Sequence, residues 1–160
     1  MNFIKKLFLT AAFLSISILG ISCQDTKTIT DTNQEISSRN WDYIKKVSIP
    51  VTIQDENIPY NIYINLRHTA DYKYANIFLL VHTTEPDGKK TTERKEFKLA
   101  YPDGQWLGKG SGNLYSYQLP YKMNYRFAKK GKYTFQLEQN MRDNPLREVT
   151  DAGIRIEKAE

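Results

Sequence analysis

Side chains that bind metals or form disulfides are scarce in this chain of 160 residues, which contains one cysteine and two histidines. A single cysteine excludes an internal disulfide framework. His68 and His82 are not spaced with other metal-type ligands, so the sequence predicts no metal site and no other cofactor. The glycine-rich stretch 104–112 lacks the spacing of a phosphate-binding loop, because three residues instead of four precede its Gly-Lys pair.

Long apolar runs are also few, and the longest extends from Leu7 to Ile21 with polar interruptions. It falls short of the roughly 18 to 20 apolar residues that a transmembrane helix needs. Lys5 and Lys6 precede the run and small residues follow it, which is the arrangement of a secretory signal. We predict that residues 1–22 are a cleaved signal peptide.

The one cysteine, Cys23, directly follows that segment. It resembles the lipid attachment point of bacterial lipoproteins, in which the signal peptide is cut just before a cysteine that receives acyl chains. We predict that Cys23 is lipidated, because a lone exported thiol would be open to oxidation and cross-linking. The alternative is an ordinary signal peptide cleaved nearby, which leaves Cys23 as a free thiol.

A large excess of charge of either sign is absent from the sequence. The formal net charge is +5, and removal of Lys5 and Lys6 with the signal lowers it to +3. The basic residues are interspersed with acids, as in 89–96, which is typical of a solvated strand face. Nucleic acid is therefore not a predicted partner.

Residues 24–40 are polar except for Ile29 and Ile36. This composition favours a flexible tether. From Trp41 onward the pattern changes to short alternating runs bounded by turn residues. We therefore predict a lipidated cysteine and flexible tether over residues 23–40, followed by a single folded domain over residues 41–160.

Alternation of apolar and polar residues with period two dominates the predicted domain. The runs 60–67 and 133–138 alternate as half-buried strands do, and enrichment in Tyr and Phe also favours strands. Pro50 cannot donate a hydrogen bond to a ladder, so we expect the run 47–53 at a sheet edge. About eight strands without helical crossovers predict an all-β fold, an antiparallel β-sandwich or jelly roll.

Three of the candidate binding residues are Trp106 and Lys109 in the glycine-rich stretch and Tyr101 just before it. One interpretation is a loop that displays Trp106 for contact with a sugar or a partner. The interpretation that we favour is a loop that needs glycine flexibility around a tryptophan anchor.

The remaining candidates are Arg67, Tyr72 and Arg142. The segment 67–76 is either a recognition surface or, as we favour, a loop pinned by an Arg67–Asp71 pair with Tyr72 packed beneath it. Aspartates at turns commonly bond backbone amides, and nothing in the chain resembles a nucleophile elbow. The sequence therefore predicts no enzyme activity and no catalytic residue.

Several blocks, taken in order, resemble the gliding motility lipoprotein GldH family of Bacteroidetes-type bacteria. The combination of the Trp-Leu-Gly-Lys-Gly block with the Asn-Met-Arg block is the most specific part of the likeness. The blocks are the signal ending at Cys23, Tyr60–Thr69 with Asp71–Leu79, Leu99–Ala100 leading to Asp103–Gly112, Phe135–Arg142 and Gly153–Lys158.

The resemblance implies a cell-envelope lipoprotein that is needed for gliding and acts with other gliding components and, by association, with protein secretion. It implies no enzyme, and Cys23 is the one residue to which it assigns a role. Because an acidic run after the cysteine is absent, we expect the domain to face the periplasm from a membrane that holds the acyl chains. The alternative function is a glycan-binding sandwich that uses Trp106, Tyr101 and neighbouring aromatics.

Overall fold

The computed structural model describes residues 27–160, which form two stacked antiparallel β-sheets. The predicted signal peptide and Cys23 lie outside the described residues. In chain order the elements are β1 (Thr28–Glu35), a 3-10 turn (Ser37–Arg39), β2 (Asn40–Trp41), β3 (Val47–Ile53), β4 (Tyr60–Thr69), β5 (Asn76–Thr84), β6 (Lys90–Lys98), β7 (Lys109–Ser111), β8 (Leu114–Tyr125), β9 (Gly131–Gln139), β10 (Leu146–Arg147) and β11 (Val149–Lys158).

The order of the strands confirms the predicted sandwich. One sheet has the order β1-β11-β4-β8-β7, the other has the order β3-β9-β5-β6, and β2 pairs with β10 in a small third ladder. If the eight strands of seven or more residues are renumbered along the described chain, the two sheets read 1-8-3-6 and 2-7-4-5. This is the strand order of a jelly roll, a double sheet built from two Greek keys.

The core lies between the two sheets and follows from the period-two pattern. On β4, Ile62 and Ile64 are fully buried, and on β9, Phe135 and Leu137 are buried from the opposite sheet. Each such side chain contributes about 1.5 to 3 kcal/mol when it is removed from water. The strand β3 lies at a sheet edge, as Pro50 predicted.

The predicted tether is wrong from residue 28 onward, because Thr28–Glu35 is a strand of the sandwich. It pairs with β11 from Thr28 opposite Glu157 to Glu35 opposite Asp151. Most of its side chains are exposed, so a polar sequence is compatible with a strand held mainly by backbone hydrogen bonds. Ile36, which follows it, is buried in the core. The domain therefore includes residues 28–40, and only residues 24–26 separate Cys23 from Lys27.

The sandwich has two ends with different surroundings. The proximal end contains Lys27 and the loops 54–59, 85–89 and 126–130, together with the C-terminal residues 159–160. The distal end contains the loops 70–75, 99–108 and 140–145. Strands of about nine residues at about 3.3 Å per residue separate the two ends by roughly 30 Å.

Candidate functional site

A polar groove crosses the outer face of the five-stranded sheet, in the half nearer the distal end. Because side chains alternate along β4, Ile64 and Leu66 point into the core while Asn65 and Arg67 point outward into the groove. The lining comes from the five strands of this sheet, from the end of β6 in the other sheet and from the loop 99–108: Asp31, Asn33, Asn65, Leu66, Arg67, Lys98, Leu107, Gly108, Lys109, Ser116, Tyr117, Gln118, Leu119 and Asp151.

Beside the groove, Gly153 on β11 lies between Asn33 of β1 and Asn65 of β4. A Cβ atom there would lie 2.1 Å from the carbonyl oxygen of Thr32 and 2.2 Å from Oδ1 of Asn33, so only glycine leaves room for β1. The amide of Asn65 donates to Oδ1 of Asp31 at 2.7 Å and to Oδ1 of Asn33 at 3.0 Å. These bonds fix polar side chains of two different strands over the glycine.

The acidic side of the groove is neutralised within the protein. Nε of Arg67 donates to Oδ2 of Asp151 at 2.6 Å, and the hydroxyl of Thr150 donates to the same oxygen at 3.0 Å. The Asp151 side chain is 9% exposed, whereas that of Arg67 is 48% exposed. Asp31 pairs with Arg155 at 2.8 Å. The groove carboxylates are therefore already matched by cations.

The basic side of the groove is not neutralised in the same way. Arg67 lies opposite Ser116 on β8, and Ser116 lies opposite Lys109 on β7, so Arg67 and Lys109 share one face of the sheet. Lys98 lines the same groove. Among residues 27–160, neither Lys98 nor Lys109 makes an ion pair, so the groove offers two uncompensated ammonium groups to a negatively charged ligand.

Trp106 belongs to an aromatic cluster at the distal end, not to the groove. Its indole is half-buried and packs edge-on against His68, with ring centroids 4.5 Å apart. Tyr72 and Tyr115 approach the same indole at 6.3 and 5.8 Å. The tryptophan thus anchors the glycine-rich loop to the core, which agrees with the favoured interpretation of the sequence.

His68 lies at the centre of this cluster and is fully buried. Its Nδ1 lies 2.7 Å from the carbonyl oxygen of Thr69 and its Nε2 lies 3.0 Å from the hydroxyl of Tyr117. Burial lowers the pKa of His68, and the bond to Thr69 opposes that effect in part. The Tyr117 hydroxyl donates to the carbonyl oxygen of Leu99 at 2.8 Å. Because a carbonyl oxygen only accepts and burial disfavours the charged ring, we assign the neutral ring with its proton on Nδ1, which donates to Thr69.

Two of the remaining candidate binding residues, Tyr72 and Tyr101, differ in exposure. Tyr72 is buried beneath its loop, and burial raises the pKa of its hydroxyl. Tyr101 is 51% exposed. Of Trp106, Tyr72 and Tyr101, Tyr101 alone is exposed, because Trp106 is half-buried in the cluster and Tyr72 is buried.

The predicted Arg67–Asp71 pair is wrong, because Arg67 points to the outer face of the sheet and binds Asp151. Arg142 is exposed and lines a separate distal cleft with Lys73 and Asp143, whose side chains pair at 3.2 Å. Among the six candidate residues, the structure thus brings Arg67 and Lys109 into the groove and places Arg142 elsewhere.

The groove residues that the sequence did not single out include Asp31, Asn33, Asn65, Lys98 and Asp151. Asn65 has a local signal, since it is a polar residue between two buried apolar neighbours on β4. Asp31 and Asn33 belong to the segment that was predicted as a tether. Asp151 has no local signal, because its partner lies 84 residues away in the chain.

Within residues 27–160, no group of three or more His, Cys, Asp or Glu side chains is arranged to hold a metal ion. No helix in this part of the chain is long and apolar enough to cross a membrane.

Known proteins similar to the chain share one description. A family model described as "GldH lipoprotein" matches residues 28–156, a match that begins at the first residue of β1. A protein of Christiangramia forsetii named "Gliding motility lipoprotein GldH homolog" is 33% identical over 163 residues, 98% of this chain and 99% of its own. The "Gliding motility lipoprotein GldH" of Flavobacterium johnsoniae is 32% identical over 152 residues, 91% of this chain and 93% of its own. No solved structure matches the chain.

Proposed function

Since the chain belongs to the GldH lipoprotein family, we propose that it is a membrane-anchored envelope subunit of a gliding-motility machinery. Its anchor is a set of acyl chains on Cys23, and its domain faces the periplasm. It acts by contact with another envelope protein of that machinery or of a linked secretion system, without catalysis. One acyl chain alone binds a membrane only marginally, so two or more chains give the stable attachment that this function needs.

The contact surface is the polar groove, and the partner presents an acidic segment there. The observation that carries this assignment is the charge arrangement: Asp31 and Asp151 are neutralised by arginines, while Lys98 and Lys109 are left without ion pairs among the described residues. A partner carboxylate that replaces water at these lysines gains charge-assisted hydrogen bonds. Because the groove lies in the distal half of the sheet, it is accessible to a neighbour above the membrane.

Site-specific photo-crosslinking in cells tests the groove. A photoreactive amino acid replaces Gln118, an exposed groove residue, in the full chain. The expected product is a crosslink to one envelope protein, and its yield should fall about tenfold in the Lys98→Glu/Lys109→Glu variant because like charges repel across the contact. Cell spreading by gliding should fall with it. Thermal unfolding should stay unchanged, since neither lysine holds an ion pair in the described part of the chain.

The matched control is Lys45→Glu/Arg142→Glu, which changes the charge by the same amount at the distal end but outside the groove. This variant should retain the crosslink and the gliding of the parent chain. If the control loses the crosslink and the groove variant keeps it, the contact lies at the Arg142 cleft and the groove assignment is wrong.

Mass spectrometry of the mature N-terminus tests the anchor. Acylated Cys23 is the expected first residue, and Cys23→Ala should release the protein from membranes. An unmodified N-terminus at or after Gln24 would contradict the anchoring. This outcome is separate from the groove test, because a soluble domain could still give the Gln118 crosslink.

A further inference from the structure

The link between the predicted anchor and the folded domain is short. Four residue steps join Cys23 to Lys27, and a fully extended chain covers at most about 3.3 to 3.6 Å per residue, or roughly 14 Å. Lys27 is fixed to the sandwich, because its carbonyl oxygen accepts a hydrogen bond from the backbone N–H of Lys158. Whatever path the link takes, acyl chains on Cys23 would hold the proximal end of the sandwich close to the headgroups.

That end carries a basic loop. The segment 126–132 contains Arg126, Lys129, Lys130 and Lys132 and no acid. Lys129 pairs with Asp87 at 2.5 Å, whereas Lys130 and Lys132 make no ion pair within the described residues. Met123, at the end of β8 beside this loop, is 46% exposed.

The acids at the same end are mostly bound to local partners. Glu85 pairs with Lys89 at 3.8 Å, and Glu160 pairs with Lys27. The carboxylate of Asp55 accepts the backbone N–H of Asn57 at 2.8 Å, while the remaining acid, Glu56, has no described ion pair. Beyond the basic loop, Lys90 and Lys158 add two further cations without described ion pairs. The proximal end is therefore a net basic surface around an exposed methionine.

We propose that the proximal end rests on the membrane surface, with Lys130, Lys132 and neighbouring cations bound to the headgroups of anionic phospholipids. The proposal rests on the anchoring at Cys23 described above. A basic residue near an anionic surface strengthens attachment about fivefold. The lipid contact would stop the domain from turning freely and hold the distal half of the sheet, with its groove, facing away from the bilayer.

Fluorescence energy transfer in liposomes tests this orientation. The acylated full-length mature protein is reconstituted with a headgroup-labelled acceptor lipid, in phosphatidylcholine with or without phosphatidylglycerol. Because Cys23 is the only cysteine of the chain and acylation blocks it, Ala128→Cys in the basic loop or Gln105→Cys at the distal end becomes a unique donor site. Transfer from position 128 should exceed transfer from position 105 at least twofold, and phosphatidylglycerol should increase the difference.

Charge-reversal variants separate lipid binding from simple tethering. Lys130→Glu/Lys132→Glu, made with Ala128→Cys, should lose the increase caused by phosphatidylglycerol, whereas the charge-matched control Lys45→Glu/Arg142→Glu should retain it. Equal transfer from positions 128 and 105 in a liposome-bound, acylated protein would overturn the orientation while the anchoring stands. If phosphatidylglycerol does not change the difference in transfer between positions 128 and 105, the proposed contact with anionic lipid is wrong. Failure of the protein to bind liposomes would remove the anchoring and this proposal together.

Discussion

Gly153 shows how one missing side chain determines a surface. The strand β1 pairs with β11 so closely that a Cβ atom at position 153 would meet the Thr32 carbonyl and the Asn33 side chain. Backbone cannot move aside as a flexible side chain can, so added volume must separate the two strands. We expect Gly153→Ala to lower the free energy of unfolding by about 2 to 3 kcal/mol in urea titrations.

A second glycine provides the control for this prediction. A Cβ atom at Gly110 would meet the ring of Tyr115 at 2.8 Å, but that ring belongs to a half-exposed side chain, so no backbone has to move. Gly110→Ala should therefore cost less than about 1 kcal/mol. Equal losses for the two variants would show that close backbone approach is not what requires glycine at position 153.

His68 gives the fold a dependence on pH. Its pKa is lowered in the folded protein by burial, so below about pH 6.5 the unfolded chain binds a proton that the folded chain does not. The contribution of His68 is complete above pH 6.5 and is lost as the pH falls toward the folded pKa. Each pH unit in that interval should lower the free energy of unfolding by up to about 1.4 kcal/mol.

Urea titrations between pH 8 and pH 5, about the range in which histidine titrates, measure this effect. His68→Asn should be less stable at pH 8, because the ring that packs against Trp106 and Tyr117 is lost, but its stability should change less between pH 7 and pH 5. A parent protein with constant stability over this range would contradict the assignment of His68 as a neutral buried ring.

At the level of whole elements, β1 is a strand whose polar sequence predicts a flexible tether. Seven of its residues pair with β11, so the amide protons that point toward β11 should exchange slowly. In hydrogen exchange followed by mass spectrometry, we expect peptides from 28–35 to exchange on the order of a hundredfold slower than peptides from the loop 54–59. If peptides from 28–35 exchange as fast as that loop, the strand assignment is wrong and residues 28–35 belong to a flexible tether, which makes the link to Cys23 longer.

The strands that the sequence predicted are those in which burial of one face produces an alternating pattern of apolar and polar side chains. On β4 and β9 the alternation of apolar and polar residues follows directly from burial of one face. On β1 most side chains are exposed and backbone hydrogen bonds make the pairing with β11, so the side-chain pattern does not predict a strand there. The same limit applies to the groove: the sequence pairs Arg67 with a nearby Asp71, whereas the fold supplies Asp151 from a strand far along the chain.

At the scale of the whole molecule, the corrected start of the domain changes what the anchor does. A long flexible tether would let the sandwich turn freely above the bilayer, with its loops at any height. With the anchoring proposed at Cys23, a link of a few residues would keep the proximal end near the membrane, and the proposed lipid contact would hold the distal loops roughly 30 Å further out. The anchoring would then also set the height of the groove above the membrane, and that height would determine which partners can reach the groove.

Lengthening the link should therefore weaken partner contact without weakening attachment. A flexible Gly-Ser insertion of about 18 residues between Thr26 and Lys27 adds a mean span of roughly 20 to 25 Å and lowers the effective concentration of the groove at a partner of fixed height. We expect the Gln118 crosslink to fall several-fold while the protein stays in the membrane fraction. The same insertion after Glu160 adds equal bulk at the same end and should leave the crosslink unchanged. A crosslink that survives the lengthened link would mean that the partner reaches the groove at any height, and that the short link serves attachment alone.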